Sequence, residues 1–499
     1  MIEGILIGLN TALSLKNILM VMIGCFAGTI IGMLPGLGPM TAIALMIPIT
    51  YGFEPSTGLI LMAGVYYGAV FGGSTSSILI NAPGVPGTVA TSFDGYPMAQ
   101  QGKAGKALAI AAYSSFAGGT IAAIFLLFAA PSLSKVSLAF RSPDYFGLMI
   151  LGLTAVSAFS AKGHFLKAMM MVVLGLMLAS VGQDTLSDIP RFVFNNMNLA
   201  DGISFVLVVM ATFAMSEALT IIFKGSDPTQ AAKQISLSKL GSIKLDKEET
   251  KKMVTTIPRS SIIGFIIGVL PGAGSTIASF LAYGMERNFV KDEEKLKFGK
   301  GSVNGLSAPE TANNAACSGS FVPLLTLGIP GSGTTAVMLG ALLGFGIQPG
   351  PRLYQTNPEI FWSVIMSMYI GMVILLILNL PLIPYIARIL AVPRAFLIPL
   401  ILFFSVTGIY LMSFNNFDIY LMIGIAVFST ILRLYEFPMP PLILAFVLGG
   451  LMEENLRRSL LISDGSWSFL WDRPLTLCIM VSIAIIVGWQ IYKSFFQKN

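Results

Sequence analysis

Side chains able to hold a small polar solute gather at two places in this chain, and each gathering runs into a proline–glycine break. The first passes through Ser74, Thr75, Ser76 and Ser77 to Asn81, then Gly84, Pro86, Gly87 and Thr88. The second holds Glu310, Asn313, Asn314, Ser318 and Ser320, then Thr326, Gly328, Pro330, Gly331, Ser332, Gly333 and Thr334. Proline removes a backbone donor, and glycine admits dihedrals that other residues avoid, so a helix is expected to stop at each break. An unwound stretch turns carbonyls toward a small cation, sodium being the natural guest. The helix that resumes offers free N–H groups and a positive dipole end to a carboxylate. Hydroxyls and amides add donors without adding charge. The residue types therefore suit an organic anion held with a coupling cation, Na+ or H+.

Each feature also has a plainer reading. Glycine, serine and threonine let membrane helices pack closely, which is their commoner role. Two such clusters, each beside a break and in corresponding positions, favour a binding site over packing. Glu310 is an acid in an apolar setting, which is costly and usually functional, and Asn313 and Asn314 follow about one turn later. It also fits as the cap of a helix starting after Pro309 at the membrane surface. The sequence leaves both open, with Tyr66 at the aligned place in the first half. His164 is the only histidine and reads as part of a short loop.

The elements that position these residues must cross a membrane. The chain is 55% hydrophobic and 11% charged, with a mean hydropathy of +0.80. Soluble domains carry about 25% charged residues, so that class is excluded. Stretches such as 107–131, 205–223, 361–385 and 475–492 reach the roughly 20 apolar residues of a spanning helix. We expect an all-α polytopic membrane protein with about ten to twelve membrane segments, some re-entrant. The net charge of +6 reflects loops and identifies no substrate. Three cysteines show no disulfide or metal spacing. The start, Met1-Ile2-Glu3-Gly4, lacks the basic stretch of a signal peptide, so the spanning helices are expected to direct insertion. No phosphate loop or dinucleotide fingerprint stands in a fitting context, so neither an enzyme nor a nucleic-acid partner is expected.

The motif at 28–38, with Pro35, Gly36 and Gly38 at its end, returns at 264–274 with Pro271, Gly272 and Gly274. The second signature, 84–87, returns at 328–331, and Ser114-Ser115-Phe116-Ala117-Gly118 is echoed at 367–371. Paired interruptions in two halves point to a transporter site. Polar stretches at 224–258 and 287–300 are expected in the cytoplasm. Residues 259–286 then form a re-entrant hairpin, since 259 to 270 rises only about 17 Å, half of the hydrocarbon core. The first copy has Lys16 before it and no basic residue after it, which suggests inverted repeats. The expected plan is a first repeat at 1–142, scaffold helices at 143–223, a cytoplasmic loop at 224–258, a second repeat at 259–392 and scaffold helices at 393–499.

At 32–39, 82–88, 308–316, 323–332 and 348–351 the sequence resembles the large membrane subunit of the tripartite tricarboxylate transporters, the TctA-type permeases. The resemblance covers nearly the whole chain; Cys317 departs mildly, standing where relatives commonly carry Ala or Gly. It implies a multi-pass permease of the bacterial inner membrane, working with a small membrane subunit and a periplasmic solute-binding protein. It also implies secondary uptake of carboxylates driven by sodium or protons, by an elevator-like mechanism if the analogy with other carboxylate transporters holds. A passive anion channel and a non-transporting scaffold subunit are the competing readings.

Overall fold

A computed structural model describes residues 1–34, 36–158, 165–184, 189–224, 241–386 and 394–496. Pro35 and His164 lie outside the described residues. Helices dominate, and the strands among the described residues are two two-residue pieces, Gly182–Gln183 paired antiparallel with Pro190–Arg191. The first half contains α1 (Ile2–Ala12), α2 (Leu15–Met33), α3 (Gly38–Thr50), α4 (Pro55–Ile80), α5 (Val89–Met98) and α6 (Ala104–Ser137), then α7 (Ser142–Ala158), α8 (Phe165–Ala179) and α9 (Phe205–Lys224). The second contains α10 (Lys247–Val269), α11 (Gly274–Phe289), α12 (Val303–Gly319), α13 (Phe321–Leu327), α14 (Gly333–Gly344) and α15 (Pro358–Asn379). It closes with α16 (Arg394–Ser413), α17 (Asn416–Leu434), α18 (Pro440–Ile462) and α19 (Pro474–Phe496).

Seven helical runs among the described residues are long and apolar enough to cross a membrane, and six shorter apolar helices span 10–17 residues. The difference from the expected ten to twelve segments has a simple cause. Several hairpin arms and half-helices are too short to cross alone. Large apolar side chains such as Phe403, Phe404, Val427, Phe428, Val481 and Ile485 point outward from α16, α17 and α19, a surface suited to lipid.

The two motifs at 28–38 and 264–274 form helical hairpins. Each is closed at its open end by an ion pair, Lys16–Glu54 at 3.5 Å and Arg259–Glu286 at 2.7 Å. Residues 259 and 286 lie at nearly equal distance from the tip, so the second chain segment folds back on itself. At the tips Gly38 and Gly274 take φ of 59° and 62°, which glycine adopts without strain. The second arm is longer than expected. A capping box of Asp246 and Glu249 starts α10 at Lys247, so Pro258 lies inside a helix and 247–258 is not loop. Those first residues are polar, and the apolar arm still begins near Arg259.

Close contacts recur between the halves. A methyl group on Gly28 would stand 2.3 Å from the Val65 carbonyl oxygen, and one on Gly264 would stand 2.4 Å from that of Ala312. Gly32 meets Ala69 as Gly268 meets Ala316. In these contacts the hairpin numbers differ by 236 and those of the following helix by 247. Left-handed caps obey the second offset, with Asn81 ending α4 and Gly328 ending α13. Thr88 and Thr335 likewise each donate to the carbonyl three residues earlier. The structural counterpart of 328–331 is therefore 81–84, three residues before the matching 84–87 signature. The counterpart of Glu310 is Ala63, not Tyr66, and Tyr66 and Tyr67 correspond to Asn313 and Asn314.

Candidate substrate site

Both tips and both breaks converge. The Gly272 N–H donates to the Gly331 carbonyl at 3.1 Å, seating the second tip on the second break. Gly38 approaches the Gly84 carbonyl, while Met40, one residue beyond Pro39 on α3, packs against Gly333. Ser275, near the start of α11, lies against Gly87. Each hairpin thus touches both breaks. Gly36, Gly38, Pro271, Gly272, Gly274, Ser332 and Gly333 keep some exposure, and so do Asn81 and Pro86, while the helices behind them are buried.

Two helix beginnings open here. The α14 start is capped by the Ser332 hydroxyl, which accepts from the Thr335 N–H while Thr335 accepts from the Ser332 N–H. Buried Thr334 follows in its first turn. A short 3-10 turn, Pro86–Thr88, leads into α5, and beside it stands Asn313. A methyl on Gly87 would come within 2.4 Å of the Asn313 Oδ1 atom. Asn313 is fully buried, yet neither its Oδ1 nor its Nδ2 has a hydrogen-bond partner among the described residues. Buried amides are nearly always bonded, and an orphaned one costs about 1–3 kcal/mol. A ligand carboxylate at the α5 start could accept from Nδ2.

Glu310 is settled differently from the capping alternative. Ser302 caps α12, and Glu310 sits in mid-helix with no exposure. Its carboxylate accepts from Ser74 and Ser115 at 2.8 Å each and from the Thr91 hydroxyl. Those donors come from α4, α6 and α5. The carboxylate therefore ties the two halves together without a cationic partner among its bonds.

Several expected ligands instead serve the helices. Ser76 and Ser77 donate to the Gly73 carbonyl, and Thr88 bonds Ser77 and Val85. Ser320 and Thr326 bond back to Cys317 and Val322. Ser318 is bonded to Tyr67 at 2.6 Å and to Gly119, and Asn314 donates to the Glu310 carbonyl. Pro330, Gly328 and Gly331 shape the break and are buried. Thr75 is buried on α4. Residues that sequence reasoning passed over include Tyr66, 3.4 Å from the Ser332 hydroxyl, together with Ser275 and Thr91. The half-buried pair Glu217–Arg433 carries no sequence signal either; it lies beside Gly36 at the first tip. No local motif marks these residues, because their partners are hundreds of positions away.

Residues 18–444 match the Tripartite tricarboxylate transporter TctA family. An uncharacterised 52.8 kDa protein of Agrobacterium vitis, from the TAR-I ttuC' 3' region, is 42% identical over 98% of this chain and 96% of its own length. A second uncharacterised protein of that organism, from the TAR-II ttuC' 3' region, is 42% identical over 44% of this chain and 89% of its own. No solved structure matches. With a family match running through both hairpins and both breaks, the chain belongs to the tripartite tricarboxylate transporter TctA family.

Proposed function

We propose that this chain is the permease of a secondary transporter that imports an organic carboxylate, tricarboxylate or related, together with a cation. The single observation behind the reading is the unpartnered amide of Asn313, buried where the first break meets the second hairpin. An anionic solute group would accept from this amide and from the first-turn N–H groups of the resuming helix. Ser332, Gly333 and Thr334 would supply the matching half of the site. In this reading a periplasmic solute-binding protein delivers the solute, and a small membrane subunit completes the assembly in a bacterial inner membrane. The repeats are inverted, and the carboxylate sits between oppositely opening hairpins. A passive channel is the second reading, since the same convergence could line a pore.

The test is uptake of labelled carboxylates into proteoliposomes holding the chain and its two partners, with sodium and proton gradients imposed separately. Accumulation under one gradient is expected. Asn313→Leu should cut that uptake by about tenfold or more while the protein still inserts, as the loss of a hydrogen bond to a charged group predicts. Equilibration without accumulation would favour the channel, and full uptake by Asn313→Leu would remove this residue from the site.

A further inference from the structure

Behind the breaks, and separate from the Asn313 corner, lies a small internal cavity of about 10 Å³ between α4, α6 and the end of α15. That is roughly the room one water-sized sphere needs. Its polar lining is Ser74, Thr75, Ser115 and Asn379, and Phe71 and Leu108 help to close it. Each of these residues is at least nine-tenths buried. Asn379 donates its Nδ2 to the Leu375 carbonyl at 3.0 Å, while its Oδ1 has no partner among the described residues. Ser74 and Ser115 each donate to the same Glu310 carboxylate oxygen at 2.8 Å, the Ser74 proton being shared with the Val70 carbonyl at 3.2 Å. Their remaining lone pairs are thus free to face the cavity. The chamber therefore receives acceptor lone pairs from Ser74, Ser115 and Asn379 beside the Thr75 hydroxyl, which can donate or accept, and a buried carboxylate stands one hydroxyl behind it.

We propose that this chamber is a binding site for one dehydrated monovalent cation of the size of sodium, with Ser74, Ser115 and the Asn379 Oδ1 atom as ligands and Glu310 as the counter-charge. Oxygen donors suit a hard cation of this kind. An uncompensated buried carboxylate is expensive, and a cation one hydroxyl away offsets that cost. The three ligands come from α4, α6 and α15, so binding would draw together helices from both halves. Ser74 and Thr75 also lie on the helix that leads to the first break. The proposal deepens the transporter reading by assigning its coupling ion a place away from the break carbonyls.

The test measures ion binding without any carboxylate present, so its failure and the failure of the solute site can be told apart. Purified full-length chain in detergent is titrated with sodium chloride against choline chloride at constant ionic strength. Thermal unfolding and bound radioactive sodium are both followed. Wild-type protein should be stabilised by sodium and not by choline. Asn379→Leu and Ser115→Ala should each bind sodium roughly tenfold more weakly, as expected for one lost charge–dipole contact. Two variants on different helices guard against the misfolding of either. Equal stabilisation by both salts, or unchanged sodium affinity in both variants, would overturn the proposal. So would stabilisation by acid with no sodium effect, which would assign Glu310 a proton instead.

Discussion

Glu310 and Asn313 stand one helical turn apart on α12, and both face the start of α5, through Thr91 and Gly87. One has every oxygen engaged and the other has none of its polar atoms paired. Replacing Glu310 by Gln keeps the shape but turns one acceptor into a donor and removes the charge. We expect Glu310→Gln to lower uptake about tenfold or more, with membrane levels changed less than twofold, because three rotatable hydroxyls can reverse to suit an amide. Quantitative immunoblotting beside uptake checks this. Normal kinetics with little protein would make the residue purely structural. At this scale the sequence identifies residue types and not partners. Asn313 is legible as a polar side chain beside a break. The bond between Tyr67 and Ser318, or the place of Asn379 in a cavity, is not, because tertiary contacts set both.

Helices and their interruptions were more legible. Proline–glycine pairs mark real breaks, and both hairpins fold where their repeated motif stands. What misled was register: the better letter match, 84–87 against 328–331, is three residues away from the structural one. The left-handed cap decides it, since Asn can adopt that conformation nearly as Gly does, and Asn81 takes the role of Gly328. The start of α10 was misplaced for a related reason, a capping box outweighing Pro258. The first break rests on bare backbone, since a methyl on Gly84 would stand 1.8 Å from the Gly32 carbonyl oxygen. Gly84→Ala should therefore cost about 1–3 kcal/mol through overpacking, read as a lowered melting temperature in detergent. An unchanged melting temperature would mean that the break gives way easily.

On the scale of the molecule, the second hairpin is held shut at the end far from the site, whereas the Lys16–Glu54 pair of the first is exposed and contributes little. Glu286 is almost wholly buried and accepts from Thr256, Asn304 and Arg259. Removing the cation alone leaves a buried charge exposed to no partner of opposite sign in that pair. Arg259→Gln should thus destabilise more than Glu286→Gln, by about 1–3 kcal/mol once the partial exposure of Arg259 is discounted. Comparative unfolding of the two variants would show the order, and the reverse order would make the pair incidental. Composition made the membrane class plain from the start. Which helices meet was hidden, because in lipid nearly every face is apolar and hydropathy no longer tells inside from outside.

The glycines of α2 and α4 carry one more implication. Gly24, Gly28 and Gly32 face the carbonyls of Leu61, Val65 and Ala69, while Gly64, Gly68 and Gly72 face those of Val21, Cys25 and Thr29. Such a ladder leaves no side chains between the two backbones to yield or repack. Sliding by part of a turn would drive a carbonyl into a neighbouring residue's Cβ, so the first hairpin and its broken helix must travel as a single plate. If the chain is the secondary transporter proposed above, the hinge or slip plane of its cycle lies elsewhere, at seams filled by side chains that can change rotamer. Crosslinks placed along this ladder would leave the cycle running, and those placed across the true seam would stop it.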